Sequence, residues 1–306
     1  CVKFQIYESN EIVSKKIKAS DYKLEKVYGD ISAHKMFNKY LKTPKKWFPQ
    51  LKKLTHNLGM DFAVTIHGNN GIKWAKRIKP DIIKVASMDH TNTPFLKNLI
   101  NKFKVPILLS IGMGELKDIK RSIKILKKHK YGFGIFHCCA IYPAKIKDLR
   151  LRNILFLKNK LKVNTGFSDH SMGEAAAKKS RKLGSLFFEK HVSLNPKQKG
   201  PDHSFACKID KFFKYVNTLN SQKIISNKKY YEFININKKE KINKLKFLKS
   251  LILKKKKKTN EKIHFDDFYF ARPGNGIPPY EYKKVLGLRV NKNLDIEVPL
   301  KWKDIK

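Results

Sequence analysis

The chain has 306 residues, of which 41% are hydrophobic, so it can bury a sizeable core as one large domain with a small appendage or as two ordinary domains. Its formal net charge is +43, but only seven of its 68 basic residues are arginines, the side chain that readers of bases and phosphates favour. The charge alone therefore does not indicate a nucleic-acid-binding protein, and no apolar run is long enough to span a membrane.

Short apolar runs alternate with longer amphipathic ones. The apolar runs predict strands over residues 2–7, 62–66, 81–86, 106–111, 132–138, 163–167 and 186–191. The amphipathic runs predict helices over residues 45–58, 71–78, 93–103, 115–128, 149–161, 173–183 and 210–219. This alternation is typical of a parallel sheet, and seven strands suggest a TIM-type (β/α)8 barrel that lacks its first strand here. A doubly wound sheet is disfavoured because no G-x-G-x-x-G follows the first strand.

The composition changes after residue 220. Residues 221–245 are polar and rich in Asn and Lys, which predicts a linker, and the lysine run at 254–258 predicts a solvated loop. Residues 246–306 contain Arg-Pro-Gly-Asn-Gly and Pro-Pro clusters, which indicate a small, turn-rich domain. The predicted organisation is a barrel over residues 1–220, a linker over 221–245 and a small domain over 246–306.

The cysteines are used sparingly. Cys1, Cys138, Cys139 and Cys207 form no C-x-x-C pair, and the adjacent Cys138 and Cys139 point to opposite faces of a strand, where they are poorly placed to bridge. This usage predicts a reducing cytoplasm.

Two histidines each close an apolar run. His170 ends the run Gly166-Phe167-Ser168-Asp169-His170, and His191 ends the next strand, with a predicted helix between them. Because neighbouring parallel strands end side by side, the two imidazoles can meet over one point and bind a divalent metal ion. The alternative is a pair of satisfied core histidines.

Two lysines lie inside apolar runs. Lys3 and Lys84 each fall within a predicted strand, where a charge is costly unless a ligand or a counterion pairs it. This placement favours binding of an anionic ligand over solvation of the surface.

Several motifs lie at the carboxyl ends of predicted strands, where barrel enzymes place their chemistry. They are Lys-Phe-Gln at 3–5, Lys-Val-Ala-Ser at 84–87, Leu-Ser-Ile-Gly-Met at 109–113, His-Cys-Cys-Ala-Ile-Tyr-Pro at 137–143, Gly-Phe-Ser-Asp-His-Ser at 166–171 and Glu-Lys-His at 189–191. With Gly-Pro-Asp-His at 200–203 and the Arg-Pro-Gly-Asn-Gly tail motif, this set resembles the sialic acid synthase family in order and spacing. The resemblance implies a barrel with a C-terminal antifreeze-like (SAF) domain that condenses phosphoenolpyruvate with an N-acylated aminohexose, such as N-acetylmannosamine.

The resemblance also implies roles for individual residues. The family's metal ligands are matched by His170 and His191, with Mn2+ or Mg2+ as the ion. Its phosphoenolpyruvate-binding positions are matched by Lys3, Lys84, Ser87, Ser110 and Ser168.

Three further residues match the family at the sugar side of the site. Asp202 matches an acidic position near the reacting centre, and Tyr142 is placed as a wall of the sugar site. Arg272 matches an arginine that contacts the N-acyl group in the partner subunit's barrel, so the resemblance implies a domain-swapped homodimer.

The sequence departs from the family pattern in three places. The family's first strand, with an acidic residue and an Asn-His pair, does not precede Cys1, so we expect a missing N-terminal segment. Ala140 stands where the family has Asn or Ser. Residues 64–67 and 110–113 read Val-Thr-Ile-His and Ser-Ile-Gly-Met instead of Ser-Thr-Pro-Phe and Ser-Thr-Gly-Met.

Two alternatives to an active enzyme follow. One is a catalytically inactive relative that binds a sugar or an anion. The other is a basic nucleic-acid-binding protein that uses Tyr230, Tyr231, Phe233 and the lysine runs, with salt-dependent binding.

Overall fold

The computed structural model describes residues 1–225 and 232–306 and has an α/β fold. Its strands are β1 (Val2–Ile6), β2 (Phe62–Ile66), β3 (Ile82–Val85), β4 (Ile107–Ser110), β5 (Phe133–Cys138), β6 (Thr165–Asp169), β7 (Phe188–Lys190), β8 (Val192–Ser193), β9 (Cys207–Lys208), β10 (Ser250–Leu253) and β11 (Phe268–Ala271). Its helices are α1 (Glu25–Tyr28), α2 (Ala33–Met36), α3 (Phe48–Asn57), α4 (Asn69–Ile78), α5 (Thr93–Lys102), α6 (Leu116–Leu126), α7 (Asn153–Asn159), α8 (Ala175–Lys182), α9 (Ile209–Asn220), α10 (Lys238–Phe247) and α11 (Tyr282–Val285).

Strands β1 to β7 form one sheet in chain order. The pairs β1–β2, β2–β3, β5–β6 and β6–β7 are parallel. Strand β2 is buried along its whole length, as expected for a parallel strand rich in apolar residues. Since side chains alternate between faces along a strand, the register decides which residues of neighbouring strands share a face.

The described residues divide into two compact units. Unit 1 comprises Cys1–Ile107, Lys120–Gly132 and Lys244–Lys306, and unit 2 comprises Leu108–Ile119 and Phe133–Asn243. The C-terminal part of unit 1 contains the antiparallel pair β10–β11.

Each unit has buried apolar clusters of its own. The C-terminal part of unit 1 is built around a cluster that includes Leu251, Leu253, Ile263, Phe268 and Val290. Unit 2 contains a cluster that includes Cys139, Leu149, Ile154, Phe167 and Ala176.

The seven predicted strands are confirmed, with ends that differ by a few residues. The helix predicted over 45–58 was wrong at its start: a tight turn covers Lys45–Trp47, and α3 begins at Phe48 with Pro49 in its first turn, where its missing N–H is tolerated. The polar segment predicted as a linker over 221–245 contains most of α10, whose Glu240 is completely buried.

No helix among residues 1–225 and 232–306 is long and apolar enough to cross a membrane. The four cysteines carry free thiols, and Cys138 and Cys139, which were predicted not to bridge each other, are buried.

Gly166 in β6 allows a close approach of Phe187. A Cβ atom at residue 166 would overlap the ring and the carbonyl oxygen of Phe187, and the backbone oxygen cannot move away independently of the strand. We therefore expect Gly166→Ala to lower the free energy of unfolding by about 1–3 kcal/mol, the usual cost of overpacking. Urea denaturation measures the loss, and Lys178→Ala on the exposed side of α8 is the control that should stay within about 0.5 kcal/mol. Equal stability of the two variants would contradict the described packing.

Candidate active site

One face of strands β1–β3 in unit 1 carries both predicted anion-binding lysines. Lys3 lies opposite Ala63, and Lys84 lies opposite Thr65, two residues further along β2. Because residues 63 and 65 project to the same face, Lys3, Thr65 and Lys84 do so as well. Lys84 is only 4% exposed and Lys3 is half-buried, so of these two lysines only Lys84 is a buried cationic group. Ser87 follows β3 and is half-buried.

Thr65 is a candidate site residue that the sequence analysis missed. Its hydroxyl oxygen is buried beside Lys84 in the register and has no hydrogen-bond partner among the described residues. An unpaired buried hydroxyl is destabilising unless a ligand or water satisfies it. The signal was available, since Thr65 stands where the Ser-Thr-Pro-Phe pattern has its Thr.

A buried network of charged groups follows the same strands. His67 comes directly after β2, and its Nδ1 lies 3.0 Å from Asp89 Oδ2, while its Nε2 lies 3.2 Å from Gln5 Oε1. The Lys249 ammonium lies 2.6 Å from Asp89 Oδ1 and donates a hydrogen bond to the His67 carbonyl. Lys249 therefore ties the C-terminal part of unit 1 to the carboxyl end of β2.

The charges in this network set each other's protonation. Burial is the main influence on His67 and lowers its pKa, against the opposing effect of Asp89. Burial alone would raise the pKa of Asp89, but Lys249 and His67 together outweigh it, and the pKa lies below its usual value. Near neutral pH the network is thus a Lys249–Asp89 ion pair with a neutral imidazole.

Arg272 follows β11 and lies among aromatic side chains. Its guanidinium carbon lies 5.2 Å from the centre of the Phe247 ring and 5.8 Å from those of Tyr22 and Phe37. One terminal nitrogen, Nη2, is 3.0 Å from Met88 Sδ. Buried Nε has no hydrogen-bond partner within the described ranges. The residues that surround Arg272 belong to unit 1 of its own chain.

One face of β6 and β7 in unit 2 carries the two predicted metal ligands. Ser168 lies opposite Glu189, and the residues two positions further along the chain are His170 and His191. The ring centroids of the two histidines are 5.6 Å apart. The structure thus brings the two imidazoles together, as the sequence predicts.

The hydrogen bonds of each imidazole fix which nitrogen can bind a metal ion. His170 Nδ1 lies 2.8 Å from the Cys139 carbonyl, which can only accept, so Nδ1 carries the proton. His191 Nδ1 lies 3.3 Å from the Asp202 carboxylate, which favours the same tautomer. In both rings Nδ1 is thus engaged by an acceptor and Nε2 is the nitrogen left for a metal ion, an arrangement typical of metal-binding histidines.

The predicted residue Tyr142 also lies beside the histidine pair. The Tyr142 ring lies 4.4 Å from that of His170 and 5.2 Å from that of Phe205, and it is about half exposed. Phe205, a residue not predicted, also lies 5.2 Å from His191. Within the described part of the chain, no group of three or more His, Cys, Asp or Glu side chains is placed to share an ion.

The two predicted serines of unit 2 differ in their hydrogen bonding. Ser168 is buried, donates to Glu189 Oε1 at 2.7 Å and lies 3.4 Å from His170 Nε2. Ser110 ends β4, and its buried hydroxyl has no partner among the residues described. Ser110 is therefore an unsatisfied donor, whereas Ser168 belongs to the surroundings of the histidine pair.

Of the three aromatic residues considered for nucleic-acid binding, the structure describes only one. Tyr230 and Tyr231 lie outside the described residues. The Phe233 ring packs edge-on against Phe156, with centroids 5.5 Å apart. That contact is packing within unit 2 and does not form a stacking platform.

Comparison with known proteins adds a family and a fold. The model of the NeuB family matches residues 1–230. The chain is 25% identical to the N,N'-diacetyllegionaminic acid synthase of Legionella pneumophila, over 100% of this chain and 86% of that protein. It is 28% identical to a pseudaminic acid synthase of Campylobacter jejuni, over 87% of this chain and 76% of that protein. The structure of the Bacillus subtilis spore coat polysaccharide biosynthesis protein spsE superposes with a TM-score of 0.79 and 21% identity, over 100% of this chain and 86% of that one, and so shows the same fold.

The Asp89–Lys249 ion pair predicts a pH-dependent stability. Asp89→Asn leaves the Lys249 ammonium buried without its carboxylate, so we expect a loss of about 3–5 kcal/mol at neutral pH. Because the pKa of Asp89 is lower in the folded than in the unfolded chain, its contribution is present above the unfolded pKa and lost as pH falls through the folded one. The variant should therefore lose less stability on acidification than the wild type.

Urea denaturation at neutral and acidic pH measures both effects. The control is Asp30→Asn, which breaks the exposed Lys18–Asp30 pair and should cost less than about 1 kcal/mol. If Asp89→Asn were as mild as Asp30→Asn, the ion pair would not contribute to stability.

Proposed function

The chain belongs to the NeuB family, and on that premise we propose that it condenses phosphoenolpyruvate with the open-chain aldehyde of an N-acylated aminohexose and releases inorganic phosphate. The observation that carries the proposal is the pair His170 and His191, which share a face, lie side by side and both present Nε2. The seven-stranded sheet is, in this proposal, the wall of a (β/α)8 barrel.

The dianionic donor needs cations and short hydrogen-bond donors. In unit 1, Lys3 and Lys84 supply the charges and Thr65 supplies a hydroxyl beside Lys84. In unit 2, Ser110 supplies a second unpaired hydroxyl. Lysine ammonium groups and unsatisfied hydroxyls suit a phosphate and a carboxylate, whose ionised oxygens accept hydrogen bonds. Ser87 and Ser168 are also proposed to bind phosphoenolpyruvate, because they match the binding positions of the family motif.

The histidine pair fits a divalent ion such as Mn2+ or Mg2+. His170 and His191 would hold it through Nε2, with Cys139 and Asp202 fixing the rings through Nδ1. A bound ion would polarise the sugar aldehyde and stabilise negative charge on its oxygen.

The remaining chemistry follows from the substrates. C3 of phosphoenolpyruvate forms a bond to the aldehyde carbon, water adds to C2, and the C2–phosphate linkage breaks to give a 2-keto-3-deoxy acid and phosphate. Asp202, half exposed beside His191, would accept a proton from that water, and Tyr142, next to His170, would form a wall for the sugar. Holding both substrates in one geometry supplies up to about 7–11 kcal/mol by removing a bimolecular entropy cost.

Arg272, in the C-terminal part of the chain, is the residue proposed to recognise the N-acyl group of the sugar. Arg272 has a buried Nε–H without a partner in the described structure and could donate it to an acyl carbonyl. A SAF-type tail and a domain-swapped homodimer remain part of the proposal on the resemblance alone, and the molar mass in solution tests the dimer.

Turnover tests the proposed function directly. Purified protein with Mn2+, phosphoenolpyruvate and a panel of N-acylated hexosamines should release phosphate with at least one sugar, and chelation should stop the reaction reversibly. His170→Ala and His191→Ala should each lower kcat/KM by about 100-fold or more, because each removes a metal ligand. His56→Ala, at an exposed histidine of unit 1, is the control that keeps turnover. Absence of phosphate release with every sugar would refute the enzyme and leave a binding protein.

A substitution at Ser110 is expected to weaken binding of phosphoenolpyruvate without lowering the stability of the fold. Because its hydroxyl has no partner in the described structure, Ser110→Ala should leave the free energy of unfolding unchanged or slightly raised. It should raise the KM for phosphoenolpyruvate by about 10-fold or more, because a donor to a charged ligand is lost. Ser122→Ala is the matched control, since that buried hydroxyl donates to the His90 carbonyl, and its loss should cost about 1–3 kcal/mol with KM unchanged. An unaltered KM in Ser110→Ala would remove Ser110 from the site.

A further inference from the structure

Glu240 is a carboxylate buried in the first turns of α10. It has no exposed surface and is the only residue of the described helix α10 that is buried, whereas Ile242 and Leu245 of the same helix are exposed. Its Oε1 accepts hydrogen bonds from the backbone N–H groups of Met113 and Ala140, each at 3.2 Å, and its Oε2 pairs with the Arg150 guanidinium. One side chain of α10 thus joins three separate segments of unit 2.

Two of these partners hold unusual backbone conformations. Met113 has φ of 61° and Arg150 has φ of 49°, both in the left-handed region that residues with a Cβ seldom adopt. Such conformations persist only where the surroundings hold them, and they cluster at functional sites. Both residues donate to the same carboxylate, so Glu240 is the contact that they share.

The third partner of Glu240, Ala140, directly follows the residue whose carbonyl contacts the histidine pair. The peptide N–H of Ala140 donates to Glu240, and its carbonyl accepts from Asn243 Nδ2 at 2.6 Å, so α10 holds both polar atoms of that residue. The preceding carbonyl, that of Cys139, is the acceptor for His170 Nδ1. The position of α10 therefore determines the position of the acceptor that fixes the His170 ring.

We propose that Glu240 and Asn243 are positioning residues that hold the segments after β4 and β5, and through the Cys139 carbonyl keep His170 in the tautomer that presents Nε2. Both residues act on the ring through the backbone of residues 139 and 140. The proposal deepens the proposed function, since it concerns the ligand His170 of that site. The Ser110 and Tyr142 segments are held by the same contacts, because Met113 and Ala140 lie three and two residues away from them in the sequence.

The test uses Glu240→Gln and Asn243→Ala in the purified protein. Glu240→Gln removes the charge that Arg150 pairs with and keeps the side-chain shape, whereas Asn243→Ala leaves the ion pair and removes only the donor to Ala140. Glu232→Gln is the matched control, because Glu232 is an exposed glutamate that precedes α10.

The first readout needs no metal ion. Long-range 1H–15N spectra of the imidazoles, with the signal of residue 170 assigned from His170→Asn, report which nitrogen carries the proton. We expect the Nδ1–H form in the wild type and in Glu232→Gln, and a mixture of tautomers in both test variants. Circular dichroism and urea denaturation confirm that each variant is folded, and Asn243→Ala keeps the test available if Glu240→Gln does not fold.

The second readout is Mn2+ affinity by calorimetry. We expect the dissociation constant to rise by about 10- to 100-fold in the test variants and to stay unchanged in Glu232→Gln, since loss of outer-shell support has effects of this size. An unchanged tautomer and an unchanged affinity in a folded variant would overturn the inference, as would a wild type that binds no Mn2+. A wild type that binds Mn2+ but releases no phosphate would overturn only the proposed function.

Discussion

Strand register is the constraint on which the candidate site depends. Because Ser168 lies opposite Glu189 in the β6–β7 pair, His170 and His191 leave the sheet on the same face and next to each other. A slip of one residue would turn one imidazole to the opposite face, since side chains alternate along a strand. The register of β2 and β3 places Thr65 beside Lys84 in the same way. Main-chain pairing, and not the surface loops, decides which side chains can act together.

Buried polar groups in this protein are of two kinds. Asp89, Lys249 and Glu240 are buried with their charges paired and hydrogen-bonded, and each joins segments that are distant in sequence. Thr65 and Ser110 are buried with hydroxyls that no described residue satisfies. The first kind holds the framework in place. A buried hydroxyl of the second kind destabilises the fold unless an acceptor binds it, which is the behaviour expected of ligand-binding positions.

Sequence patterns predicted the strands and the histidine pair because both depend on local information. An apolar run indicates a buried strand without any knowledge of which strands lie next to it. A polar residue at the carboxyl end of that strand can be read from the same short stretch of sequence. The network around Asp89 could not be predicted in this way, because Lys249 and His67 are 182 residues apart in the sequence. Glu240 was missed for a related reason: α10 has no apolar stripe, and its burial comes from one carboxylate that meets distant backbone amides.

The segment after β1 and the tail are joined by main-chain hydrogen bonds. The Ser14 N–H donates to the Arg272 carbonyl at 2.9 Å, and the Arg272 N–H donates to the Ile12 carbonyl at 3.0 Å. Since these bonds join backbone atoms, they depend little on which side chains are present. They do require that the backbone of both segments keeps its conformation. Recombination between homologues that replaced the segment around Arg272 would thus succeed only with a recipient whose loop after β1 follows the same course. These two segments are therefore expected to change together between homologues, although they are far apart in the sequence.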